Sequence, residues 1–280
     1  MSISDFNLKL PLPDIFPEEW KETISHFSFM SFRNLDHFKH EVAMITQEND
    51  TYCGIKYSEA LSQLMKGESN FPEVEQASIR NLVRSKLQKR GLITEEVYEH
   101  YRYSVDGTAV GYDIGKYANG EADCVITPTR EYIDFFYELY INISYPYTVP
   151  NKQVRESVAK LLATIEELER QHIYIKITMV LPIRNVYESD GEGPEFKPNF
   201  FSTVPLFSHK DKKSVSTMSS VVNDRLLRKF YFAVLENLYG KQLAGGYGHP
   251  VTLPKCMNIG EEFDEIKFFK DVLHIVGADK

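Results

Sequence analysis

The amino-acid sequence predicts an α/β fold, with a central, mostly parallel sheet flanked by helices and a helical N-terminal portion ahead of it. Three patterns lead there. Apolar residues recur at helical spacing through much of residues 34–89. Two β-prone runs, 132–144 and 173–182, enclose a strongly amphipathic stretch, 157–170, as the two strands and crossover helix of a β-α-β unit do. The second run carries Ile173, Ile175 and Ile177 and then Met179-Val180-Leu181, and reads as a buried parallel strand.

In chain order, residues 1–16 read as an extended lead-in, with Pro11, Pro13 and then Pro17 opposing regular structure. Asn34 caps a helix through Ile45, whose Leu35, Phe38, Val42 and Ile45 share a face. A second helix runs from Tyr57 to Met65 and stops at Gly67. A third spans Glu73 to Lys89, with Val74, Ile79, Leu82, Val83 and Leu87 as apolar positions and Gly91 as terminator. Residues 97–103 and 108–114 read as a strand pair about Asp106-Gly107, and Gly107, Gly111, Gly115 and Gly120 mark a loop-rich segment. After the β-α-β unit, residues 189–198 form a Gly/Pro loop, 200–207 a strand, 208–216 a polar stretch and 219–238 a helix. Residues 263–276 close the chain as a strand, or as a short helix plus strand. The expected division is a helical portion, 1–95, and an α/β domain, 96–280.

Composition excludes more than it identifies. At 280 residues, with 42% hydrophobic and 26% charged side chains, the chain is long enough for a substantial core and is neither disordered nor fibrous. A net charge of −8 argues against a general nucleic-acid scaffold, because phosphate affinity comes from clustered Lys and Arg. Cys53, Cys124 and Cys256 form no C-x-x-C pair, which fits a reducing compartment and three small buried side chains. No basic-then-apolar leader opens the sequence and no apolar run reaches about 18 residues, so a soluble cytoplasmic protein without a membrane partner is expected.

Few residues form a chemical constellation. His37 and His40 stand three apart beside Glu41, but Phe38 and Val42 claim the core face, so the two imidazoles are expected to point to solvent. The glycine series lacks both G-x-G-x-x-G and G-x-x-x-x-G-K-[ST], the arrangements whose amides cradle phosphate. Asp113, Glu121 and Asp123 are the closest carboxylate cluster, and a metal-dependent nuclease or phosphoesterase would need them to converge on a divalent ion. Arg225, Arg228 and Lys229 could make a cationic stripe for a nucleic-acid-binding accessory role. No G-x-S-x-G elbow is present, and neither a cofactor nor a catalytic residue is expected.

Three stretches together resemble a family of uncharacterised domains carried by bacteriophages and prophages. They are residues 52–67 (Tyr52-Cys53-Gly54 leading into Ser58-Glu59-Ala60-Leu61 and Gly67), residues 105–121 (Asp106-Gly107 through Gly120-Glu121), and the β-α-β unit from Tyr140 to Pro182, within a coverage of about 29–250. The resemblance implies a phage protein made in the infected bacterium and carries no activity with it. The β-α-β unit is also similar to the opening of a von Willebrand factor A domain, where Asp-x-Ser-x-Ser holds a divalent ion. Here Asn142, Ser144 and Pro146 would occupy those positions, which implies a degenerate core without an intact metal site. On this reading the carboxyl ends of the strands remain the binding edge of the sheet.

The leading functional expectation is therefore a non-enzymatic protein that binds a host or phage protein, with a host defence or regulatory factor as the target that the phage context suggests. Asn142, Ser144, Tyr145, Tyr147, Tyr112, Asp113 and Tyr247 are the expected binding residues. Among the aromatics, Phe135, Tyr137 and Phe201 are assigned to strand interiors. Tyr112, Tyr117, Tyr145, Tyr147 and Tyr247 are assigned to loops and strand ends.

Overall fold

The structure is a computed structural model that describes residues 15, 27–45, 56–66, 73–93, 100–104, 111–121, 125–129, 134–146, 148–184, 199–214, 217–218, 229–231, 233–234, 249–253 and 255–277. In chain order the elements are β1 (Phe27–Ser31), α1 (Leu35–Ala43), α2 (Tyr57–Lys66), α3 (Glu73–Lys89), β2 (His100–Ser104), β3 (Gly111–Tyr112), α4 (Ile114–Ala118), β4 (Val125–Thr129), β5 (Phe135–Asn142), α5 (Asn151–Glu169), β6 (Ile173–Arg184), β7 (Asn199–Phe207), β8 (His249–Pro250), β9 (Met257–Asn258) and α6 (Glu265–Val276). The main sheet has the order β1-β7-β6-β5-β9, with β8 paired to the far end of β6. Pairs β1/β7, β5/β6 and β5/β9 are parallel, while β6/β7 and β6/β8 are antiparallel. The fold class is α/β with a mixed sheet.

The β5-α5-β6 unit forms as its apolar pattern requires. Val154, Val158, Leu161, Leu162, Ile165 and Leu168 of α5 are all buried, a stripe at helical spacing. They lie in one core with Leu139 and Ile141 of β5 and Ile173, Ile175 and Ile177 of β6. Burial of each such side chain contributes about 1.5–3 kcal/mol, so a charge at Leu161 would undo this layer. The helix begins at Asn151 instead of Ser157. Pro150 takes the N-cap position in an extended conformation, and Ser157 is buried instead of capping.

The N-terminal helices keep their expected limits to within two residues. Asn34 caps α1 by accepting from His37 N at 2.8 Å. In α3, Val83 and Leu87 are buried and Ile79 packs against the core, but Val74 and Leu82 are 83% and 49% exposed, so its apolar face is narrower than expected. Arg80 reaches Glu166 of α5 at 2.7 Å, and Lys86 pairs with Glu265 of α6, which supplements that narrow contact. Phe38 of α1 packs edge-on against Phe32 and stacks on Tyr231, with ring centroids 5.0 and 5.3 Å away. Tyr57 of α2 donates its hydroxyl to Val42 O at 2.6 Å, and burial drives its pKa well above the usual phenol value.

Four expectations need correction. Residues 27–31, within the segment read as helical, form a strand whose partner lies more than 170 residues away in β7. The expected pairing of residues 97–103 with 108–114 does not form, because β4 lies between β2 and β3 and pairs antiparallel with both. Ile114 starts a short helix instead of ending a strand, since Asp113 caps it by accepting from Lys116 N at 3.1 Å. Residues 265–276 are wholly helical. Asp264 accepts from Ile266 N and Lys267 N at 3.0 Å, Phe269 and Val272 face the core, and Gly277 ends the helix with φ 71°. The expected loop at 189–198 lies outside the described residues, as does most of the helix expected at 219–238. Residues 229–231 and 233–234 of that stretch are helical, as are residues 217–218 just ahead of it. Among the described residues, no helix is long and apolar enough to cross a membrane.

The two faces of the sheet are covered unequally. One carries the main core. On the other, Ile15, Val180, Phe201 and Leu253 form a small second cluster over the far half of β6 and β7, with Phe29 and Tyr140 packed against it.

Candidate functional site

At the carboxyl end of β5 the expected binding residues are occupied by the protein itself. Asn142 is fully buried, donates from Nδ2 to Val251 O at 2.6 Å and to Asn258 Oδ1 at 2.7 Å, and accepts Ser144 N at 2.9 Å. Asn258 in turn accepts Leu253 N at 3.0 Å and donates to Leu253 O at 3.1 Å. Ser144 Oγ accepts Val251 N at 3.3 Å. The result is an amide latch that ties β5 to residues 251–258, and it satisfies backbone groups that a buried loop would otherwise leave open.

Tyr145 is 7% exposed, which corrects its assignment to an accessible strand end. A Cβ at Gly260 would stand 2.6 Å from Tyr145 Cβ, so the chain closes on this tyrosine only because residue 260 is glycine. Gln153 of α5 donates to Gly260 O at 3.1 Å, holding the same turn from the helix side. Beside the latch, burial pushes the Cys256 thiol up to about 12, and burial, together with the charges of Asp271 and Cys256, raises Tyr137 above its ordinary value. Tyr147 and Tyr247 lie outside the described residues.

The glycine-loop carboxylates serve α4. Asp113 caps the helix, and Glu121 pairs with Lys116 at 3.8 Å. Asp123 is outside the described residues, and Tyr112 sits in β3. Among the described residues, no group of three or more His, Cys, Asp or Glu side chains is placed to hold a metal ion. His37 Nδ1 accepts Arg33 N at 3.2 Å while Nε2 faces Glu41 at 3.5 Å. Lys229 is 1% exposed, which removes it from a solvent-facing cationic stripe, and Arg225 and Arg228 are outside the described residues.

Two solvent-facing features stand out among the described residues. The first is α4, which buries none of its own side chains, yet Ile114 and Tyr117 project with 79% and 69% exposure. Three residues apart, they share one helix face. Asp113 at one end and Gly120, with φ 72°, at the other hold the turn in shape. Sequence reasoning found Tyr117 and missed Ile114, which it had placed in a strand.

The second feature was not legible as a site. Phe136 of β5, 53% exposed, stacks on Tyr174 of β6 with centroids 6.0 Å apart on the sheet face opposite α5. The His209 ring meets Phe136 edge-on at 5.1 Å, and Lys210 Nζ lies 5.9 and 5.4 Å from the two ring centroids. Asp134 pairs with His172 Nδ1 at 3.3 Å and Lys210 at 3.4 Å, while Glu138 pairs with Lys176 at 2.6 Å. His172 holds φ at 61°, a left-handed conformation unusual for a residue with a side chain, at the turn that places it beside Asp134. Alternation along β5 could have flagged Phe136, but only the sheet decides which face is left open.

With this geometry in view, the chain belongs to the family described as "Domain of unknown function (DUF7192)", which matches residues 18–271. No curated protein and no solved structure matches it.

Proposed function

We propose that this member of an uncharacterised family is a non-enzymatic binding protein that seats another protein on the α4 knob. The observation that carries the reading is the exposure of Ile114 and Tyr117 on a helix capped at both ends. Each is worth about 1.5–3 kcal/mol when a partner covers it, and tyrosine is among the side chains that dominate interface energetics. A helix already shaped by Asp113 and Gly120 loses little further freedom on binding. The phage resemblance extends the proposal to a protein made in the cytoplasm of an infected bacterium, with a host defence or regulatory factor, or another phage protein, as partner.

The likeness to a degenerate von Willebrand A core belongs to the same proposal. Asn142 and Ser144 stand where that core would hold an ion, and both are spent on the internal latch. That use supports moving the binding surface away from the strand ends.

The test compares the full chain with the Ile114→Ala/Tyr117→Ala double variant. Partner captured from host lysate at near-stoichiometric yield is purified and titrated by calorimetry against both. At least ~10-fold weaker binding by the variant, about 1.4 kcal/mol, with an unchanged melting curve, is expected. Failure to recover a stoichiometric partner, or equal binding by both chains, overturns the proposal.

A further inference from the structure

Parallel strands are ordinarily covered on both faces, because the crossover helices that join them pack there. The near halves of β5 and β6 depart from this rule. Their α5 face is buried, whereas Phe136, Glu138, Tyr174 and Lys176 line an opposite face that is open to solvent beyond the edge of the second cluster. The open half-face is also ordered in charge. It has two rows in the register of β5 and β6, two residues or about 6.7 Å apart, and a third pair just ahead of both strands. They are Asp134 beside His172, Phe136 beside Tyr174, and Glu138 beside Lys176, each with its first member on the β5 side and its second on the β6 side.

We infer that this half-face is a homodimer interface, covered by the same half-face of a second copy. A two-fold axis parallel to the strands, between β5 and β6, keeps each row in place and exchanges the columns. Glu138 then meets the partner's Lys176, Phe136 meets the partner's Tyr174, and Asp134 meets the partner's His172. Every row is complementary to itself under that operation. The sheets stack with aligned strands, a standard face-to-face packing. Electrostatics favour this occupant over nucleic acid: the chain carries a net charge of −8, and the patch balances its lysines with acids. Lys210, 68% exposed, holds its ammonium over both rings and pairs with Asp134, and its long side chain swings aside as the two faces close. Six side chains form a small patch against the about 800 Å² per partner of a standard interface, so the dimer is reversible in the micromolar range.

This surface is distinct from the α4 knob, and the inference does not depend on what binds there. Sedimentation velocity on the full chain from about 1 to 100 µM reads it directly, with monomer–dimer exchange across that range expected. Phe136→Glu, at a half-exposed position, abolishes the dimer while its far-UV circular dichroism stays that of the wild-type chain. Glu138→Lys alone and Lys176→Glu alone each sediment as monomers, because each sets like charges against each other across the axis. An equimolar mixture of those two variants forms a heterodimer, an outcome that a purely intramolecular role for the Glu138–Lys176 pair cannot produce. A wild-type chain that stays monomeric at the highest concentration overturns the inference. So does a wild-type dimer whose charge-swapped variants fail to associate when mixed, since the contact then lies on another face.

Discussion

Replacing Asn142 by alanine removes the centre of the amide latch, and the structure sets the size of the effect. Three hydrogen bonds vanish: two donated to Val251 O and Asn258 Oδ1 and one accepted from Ser144 N. A protein hydrogen bond contributes about 1 kcal/mol net, and a buried partner left unsatisfied costs about 1–3 kcal/mol. Asn258 keeps its two bonds to Leu253, so part of the network survives. The expected loss is therefore about 3–5 kcal/mol, or roughly 5–9 °C in melting temperature for a chain of this size. Urea unfolding followed by circular dichroism measures it. A loss below about 1 kcal/mol would refute the argument, since it would mean that water satisfies these groups as well as Asn142 does.

The aspartate variant adds a sign. Asn142→Asp discards both donors and turns a carboxylate toward two acceptor oxygens in a buried site, so its folded-state pKa rises above the unfolded value of about 3.9. The protonated form is the tolerated one. The stability deficit relative to wild type is then smallest below the unfolded pKa and grows as pH rises through the folded pKa, reaching its maximum near neutrality. A deficit that shrinks with rising pH would show that the Ser144 N–H, or a cation, outweighs the two acceptor oxygens.

Two further outcomes follow from the same region. Gly260→Ala places a methyl group 2.6 Å from Tyr145 Cβ, where neither the strand end nor the ring base can yield freely, and should cost about 1–3 kcal/mol in urea unfolding; a neutral result would mean that the 258–261 turn moves easily. Cys256, half-buried and with its thiol pushed up to about 12, should react more slowly with a disulfide reagent at pH 8 in the native chain than after unfolding, as mass spectrometry of the labelled peptide can follow; native labelling as fast as that of the unfolded chain would contradict the raised value.

What was legible in the sequence follows from the range of the forces involved. Caps and stripes are local. Asn34 and the Phe38–Val42 stripe of α1, the apolar positions of α5 and the long run of β6 therefore identified their elements from neighbours within a few turns. The C-terminal helix misled because its apolar residues come in adjacent pairs, Phe268-Phe269, Leu273 beside Val272, and Ile275-Val276, which look strand-like until Asp264 and Gly277 are recognised as its caps. Its signal was present and was outweighed.

Other features had no local signal to read. Whether Phe27–Ser31 pairs depends on β7, far along the chain, and whether β3 meets β2 or β4 depends on where residues 125–129 settle. The same holds for the site. Asn142 and Ser144 were singled out by their place at a strand end, but only the return of residues 251–258 decided that their polar groups bond inward. Phe136 was an ordinary strand residue until the fold left its half of the sheet uncovered. By itself the sequence determined the class of the fold, most of its helices, its central β-α-β unit and its acidic charge, because propensity, capping and periodicity act over a few residues. Only the tertiary structure decided which aromatic side chains meet solvent, because exposure is set by whatever distant segment does or does not pack over them.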